Sequence, residues 1–205
     1  MDFWTLGFLW GCGRISGDYF LVQSKYKQYV KKVRDVADPK RSLFPVERYA
    51  GESWRLKLPL SNPYVQWMFS HGYEGRIGNT QRRIPEFDSV EREAEFLRGY
   101  FSIHYTFDTF VNKKRVVPRL RFFATEMILE RLNQHLHGQV GTTLKKVQKH
   151  SKNDVCHVLY YTSKREVPVI IEYLYLFTPD NPIPGEKTGL TIASCDVRRA
   201  GRDKG

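Results

Sequence analysis

Cysteine is scarce in this chain: Cys12, Cys156 and Cys195 are the only three among 205 residues. An odd number with no Cys-x-x-Cys spacing argues against both a disulfide framework and a cysteine-built zinc module, which leaves free thiols as the expectation. Long apolar runs are missing too, since none approaches the ~20 residues that cross a bilayer, and no membrane partner is expected. The opening MDFWTLGFLWGCG is apolar but short, lacks a basic lead and carries Asp2, so it does not read as a cleaved signal. Acidic residues are the third shortage. Against 33 Lys and Arg stand 22 Asp and Glu, a formal charge of +11. Such an excess favours a polyanionic partner, because neutralising phosphates releases condensed counterions.

What is present is enough apolar material for one sizeable core or two fused half-domains, with 41% hydrophobic and 14% aromatic residues. Two stretches, TLGFLWGCG from Thr5 and FLRGYFSIHY from Phe96, read as the same helix used twice. Each crowds apolar residues together, carries small residues (Gly7, Gly11 and Gly99) that admit a close neighbour, and turns directly into a β-like segment. Cys12 and His104 are expected at the two helix ends. After the first helix, a hairpin turns at Ser16-Gly17-Asp18, and residues 25–37 show apolar positions at three- and four-residue spacing. A second hairpin fits 43–49 and 54–60, and Asn62-Pro63 starts a short helix that Gly72 stops. The same order recurs after Ser89, a candidate N-cap. Hairpin 103–111 with 115–123, helix 125–137, hairpin 142–149 with 155–162 and helix 166–176 complete it. The expectation is an α+β duplication: a first half over 1–73, a linker over 74–88, a second half over 89–177 and a basic, mobile tail over 178–205 with one short strand at 190–192.

This order of elements resembles the single-chain, two-motif LAGLIDADG homing endonucleases and their non-cleaving relatives. The pieces that carry the resemblance are LGFLWGCGRI from Leu6, RRIPEF from Arg82, EFLRGYF from Glu95 and YYTSKREVPVIIEYLY from Tyr160. It implies two pseudo-symmetric αββαββα halves, whose motif helices pack side by side and whose antiparallel sheets hold double-stranded DNA. It also implies an acidic residue at the end of each motif helix, holding magnesium above the scissile phosphates. Here Cys12 and His104 stand in those places, and Ser102 stands where a further acid often occurs. Neither thiol nor imidazole is a hard anionic oxygen ligand, so the magnesium chemistry is expected to be disabled and no cofactor is expected. Thiol and imidazole do suit zinc, but two ligands are too few for a site. Lys57 and Lys164 are loose candidates for the basic residue that assists the family's reaction.

The expected nucleic-acid surface is better furnished. Strict alternation puts Arg115, Val117, Arg119 and Arg121 on one strand face, and Val116, Pro118, Leu120 and Phe122 on the other. Lys113 and Lys114 at the hairpin tip, with Lys145, Lys146, Lys149 and Lys152 in the next hairpin, extend the basic surface. Arg14, Lys40, Arg41, Arg48, Arg55 and Lys57 form the corresponding set in the first half. The leading expectation is a monomeric, sequence-specific duplex-DNA-binding protein, catalytically inactive, cytoplasmic and DNA-associated, serving as a transcriptional regulator. Three alternatives stand beside it. One is an active endonuclease that uses magnesium through other ligands such as Asp18 or Asp108. Another is an RNA-binding, maturase-like splicing cofactor. The last is a protein-interaction module whose basic faces meet an acidic partner.

Overall fold

The structure is a computed structural model that describes residues 1–47, 52–73, 83–150 and 155–176. Arg48, Lys152, Cys195, residues 74–82 of the linker, and the whole tail with its expected strand lie outside the described residues.

The first half runs α1 (Phe3–Cys12), β1 (Gly13–Ser16), β2 (Tyr19–Ser24), α2 (Lys27–Ala37), β3 (Phe44–Val46), β4 (Ser53–Pro59) and α3 (Pro63–Ser70). The second repeats it as α4 (Val90–Phe101), β5 (Tyr105–Asn112), β6 (Arg115–Ala124), α5 (Glu126–Val140), β7 (Gln148–Lys149), β8 (His157–Tyr161) and α6 (Glu166–Tyr173). Each half builds one four-stranded antiparallel sheet of the same topology, β1-β2-β4-β3 and β5-β6-β8-β7. Helix starts follow local chemistry. The Asp2 carboxylate accepts from Thr5 N at 2.6 Å, Asn62 caps α3 ahead of Pro63, and Ser89 caps α4 with Glu91 and Glu93 in the first turn. Helix α5 stops at Gly141, whose φ of +69° suits a residue without a Cβ.

Helices α1 and α4 form the seam between the halves. A Cβ on Gly7 would lie 1.9 Å from the Phe96 carbonyl oxygen, and a Cβ on Gly99 would lie 1.9 Å from that of Trp4. The contact is reciprocal: each glycine and its partner are matched by residues 92 positions along the chain. That offset also matches Cys12 with His104, and Gly13 at the start of β1 with Tyr105 at the start of β5. The core is continuous across the seam, with Trp10 edge-on to Phe96 at 5.7 Å between ring centroids and Phe3 edge-on to Phe87 at 5.8 Å.

Several sequence expectations need correction. The second motif helix ends at Phe101 rather than continuing toward Tyr105, so His104 lies beyond the helix end, next to the first residue of β5. The strand expected over 142–149 is confined to Gln148–Lys149. The Asn133 side chain occupies the backbone of Lys145 instead, donating to its carbonyl at 2.8 Å and accepting from its N–H at 3.1 Å, while Glu166 accepts from Thr143 N at 2.6 Å. Those groups are therefore unavailable for a β ladder. Strand β3 is likewise shorter than the expected 43–49.

Candidate nucleic-acid interface

Strand register decides what each sheet presents on the face away from its helices. In the first sheet, Arg14 pairs with Leu21 and Leu21 with Lys57, while Gln23 pairs with Arg55 and Arg55 with Phe44. These cross-strand rows share the outer face, and Phe20, Val22, Leu56 and Leu58 point inward as core. Arg14 and Lys57 are exposed, and the Lys57 ammonium stands 5.7 Å from the Tyr19 ring centroid. Arg55 is half-buried and donates to Gln23 Oε1 at 3.3 Å; Gln23 in turn donates to Ser53 Oγ at 2.7 Å.

The second sheet presents a more strongly basic outer face. Thr106 pairs with Arg121, Asp108 with Arg119 and Asn112 with Arg115, and Arg121 continues across to Tyr160. Arg115, Val117, Arg119 and Arg121 thus share one side of β6, as alternation requires, and Phe110, Phe123 and Tyr160 lie among them. Asp108 anchors this cluster. Its carboxylate accepts from Arg119 Nε and Nη2 at 2.7 Å each, and from Arg121 Nη2 at 2.7 Å. The hydrogen bonds that Arg119 donates to Asp108 raise its guanidinium above its already high ordinary value. Lys113 and Lys114 form the two-residue tip with φ of 47° and 65°. A turn with both central residues left-handed favours Asn-Gly, and two lysines there hold strain of about 1 kcal/mol or more each.

The remaining basic residues divide. Lys40 and Arg41 are exposed just after α2, Arg41 paired with Asp38 at 3.0 Å. Lys145 is tied to Glu166 at 3.0 Å, on the side of the helices rather than the outer face. Lys149 pairs in register with His157, a buried residue on the inner face, so Gln148 rather than Lys149 shares the Arg121 side. Lys146 is exposed in the segment before β7. Sequence reasoning missed Gln23, Tyr160 and the bridging role of Asp108. The period-2 pattern of β5 pointed to Asp108, because it places that residue on the same face as Thr106 and Phe110.

Between the sheets lie the seam positions. The His104 ring packs against Tyr100 with centroids 4.9 Å apart, and its Nε2 lies 3.1 Å from the Gly11 carbonyl oxygen. A carbonyl can only accept, so Nε2 is the donor in that contact. Cys12 is half-buried at the last residue of α1. Asp108 is engaged by two arginines, and Asp18 is exposed in the distant turn of the β1–β2 hairpin. Thiol, imidazole and an arginine-neutralised carboxylate do not fit a magnesium pair, which calls for anionic oxygens. Among the described residues no group of three or more His, Cys, Asp or Glu is placed to hold a metal ion, and no helix is long and apolar enough to cross a membrane.

No protein-family model and no curated protein sequence matches the chain. Solved structures do. The homing endonuclease I-DmoI in complex with DNA and calcium matches with a TM-score of 0.53 at 16% identity, covering 90% of this chain and 93% of its own. Meganuclease I-SmaMI bound to DNA gives a TM-score of 0.56 at 12% identity over 85% of this chain and 83% of that one. The I-LtrWI LAGLIDADG homing endonuclease bound to target DNA gives 0.55 at 11% identity over 91% and 85%. Two like sheets flanking a glycine-packed helix pair, matched over most of both chains, give this protein the fold of the LAGLIDADG homing endonucleases.

Proposed function

We propose that this chain binds duplex DNA in a sequence-dependent manner, as a monomer whose two halves serve as a pseudo-dimer, and that it does so without magnesium-dependent cleavage. The observation that carries the reading is the pair of outer sheet faces, each with arginine and lysine set among apolar and amide side chains in strict strand register. Arginine and lysine there serve both functions a DNA-reading surface needs, phosphate neutralisation and base-edge hydrogen bonding. Structural neighbours of the same fold, I-DmoI and I-LtrWI among them, are described in complex with DNA. The inactive half of the reading rests on donor chemistry. Cys12 and His104 occupy equivalent places at the seam, and neither supplies the anionic oxygen that a magnesium-held nucleophile requires. A protein that binds one duplex site and leaves it intact is suited to regulating transcription.

The test is selection of bound duplexes from a randomised pool, followed by incubation of the enriched sequence with protein and magnesium or manganese. One long, intact motif is the expected outcome. Cleavage inside the motif would instead make the chain an active endonuclease with other metal ligands. Failure to enrich any duplex, with retention of an intron-containing RNA, would replace DNA by RNA as the partner.

A further inference from the structure

The Asp108–Arg119 pair has a geometry that neutralisation alone does not require. A guanidinium has two edges with paired donors: the side formed by Nε–H and one Nη2–H, and the end formed by the second Nη2–H and Nη1. Asp108 takes the side edge, with Nε to Oδ1 and Nη2 to Oδ2 both at 2.7 Å. The end edge therefore keeps two parallel donors. Phe110 lies 5.3 Å from the guanidinium carbon, centroid to Cζ, and flanks the group. About a third of the Arg119 side chain remains exposed on the outer face. The second Asp108 oxygen is shared with Arg121 Nη2, which fixes the carboxylate from the other side.

We propose that Arg119 reads one guanine through its end edge and that Asp108 is the positioning residue that holds it for this purpose. This rests on the duplex-DNA reading above and deepens it. Two parallel N–H donors match the O6 and N7 acceptors that guanine shows in the major groove, and no other base offers two acceptors there. Because the rotamer is fixed before binding, less conformational entropy is lost when the contact forms. Among the described residues, the outer face of the first sheet has no equivalent device. Arg55 there makes one hydrogen bond of 3.3 Å to the uncharged Gln23, so its orientation is held less firmly.

Duplex selection with the intact chain and with Arg119→Ala, Arg119→Lys and Asp108→Asn tests the assignment, with circular dichroism to verify that each variant folds. The native protein should enrich a motif with a guanine that both Arg119 variants cease to prefer. Affinity for the selected site should fall in those variants by about 5- to 150-fold, the range of a bidentate arginine–guanine pair. Substituting 7-deazaguanine at that position should weaken the native protein and leave Arg119→Ala unaffected. Asp108→Asn should bind random duplex more tightly, having lost a negative charge, yet discriminate less at that one base pair. An enriched motif in which no guanine depends on Arg119, or full discrimination by Asp108→Asn, would overturn the assignment and leave the DNA reading standing. No enriched motif at all would overturn both.

Discussion

A methyl group has no room at Gly7 or Gly99. The obstructing atoms are backbone, the Phe96 and Trp4 carbonyls with the Tyr100 and Phe8 nitrogens behind them, so rotamer changes cannot relieve the clash. Either helix would have to move, and with it the sheet that follows directly from its end. Gly99→Ala should therefore cost more than the ~1–3 kcal/mol usual for overpacking. Gly138 is the internal control. It is exposed in the last turn of α5 with nothing within 4 Å of its Cβ position, so Gly138→Ala should stabilise by roughly 0.5–1 kcal/mol through helix propensity. Urea unfolding of the two variants reads both effects. Equal shifts in the midpoint would mean that the seam is looser than the glycine contacts imply. The offset of these contacts also relates Cys12 to His104, although their local structures differ, one ending a helix and the other lying past a helix end.

At the scale of elements, the second half is held together by a buried polar network linking α4, α5 and α6. Glu93 accepts from Arg131 Nε at 2.5 Å and lies 3.3 Å from His135 Nδ1, and His135 Nε2 lies 2.9 Å from the Tyr173 hydroxyl. Burial alone would raise the Glu93 carboxyl, but hydrogen bonds from His135 and Arg131 outweigh it and hold the group below its ordinary 4.5. Glu166 is lowered as well, with its burial outweighed by Thr143 and Lys145. With the folded values depressed, this stabilisation is complete above about pH 4.5 and is lost as pH falls through the lower folded values. Glu93→Gln should lower stability near neutral pH by about 1–3 kcal/mol by leaving Arg131 and His135 under-satisfied. It should also flatten the acid limb, as urea unfolding between about pH 3 and pH 7 would measure; an unchanged acid limb would remove Glu93 as its cause. None of this network was legible in the sequence, because Glu93, His135 and Tyr173 are brought together only by packing of three helices. The β6 face was legible, since a period of two needs no tertiary information. The segment over 142–149 was misread for a related reason: its apparent strand pattern loses to the Asn133 and Glu166 side chains, which lie far from it in sequence.

For the whole molecule, the two halves share topology but not reach. The β1–β2 ladder pairs only residues 13–16 with 19–22, whereas β5–β6 pairs 105–112 with 115–122. At ~3.4 Å per residue the second arm extends about 14 Å further, close to four base pairs of duplex. Equivalent positions also differ in chemistry: the row Arg14, Leu21, Lys57 in one sheet answers to Thr106, Arg121, Tyr160 in the other. A duplex laid across both faces would therefore be read unequally. On the proposed function, chemical protection of the selected site should extend further from its centre on one side. Replacing Lys113, Lys114 and Arg115 together by alanine should erase only that outer end. If all three side chains meet phosphate, the slope of log affinity against log salt should shrink by about 2.7, at ~0.9 per contact. Arg14→Ala, by contrast, should affect protection near the centre, because β1 begins at the seam. A footprint of equal length on both sides, unaltered at its ends by the triple replacement, would show that the long β5–β6 hairpin projects away from the duplex and that the reading surface is confined to the strands next to α1 and α4.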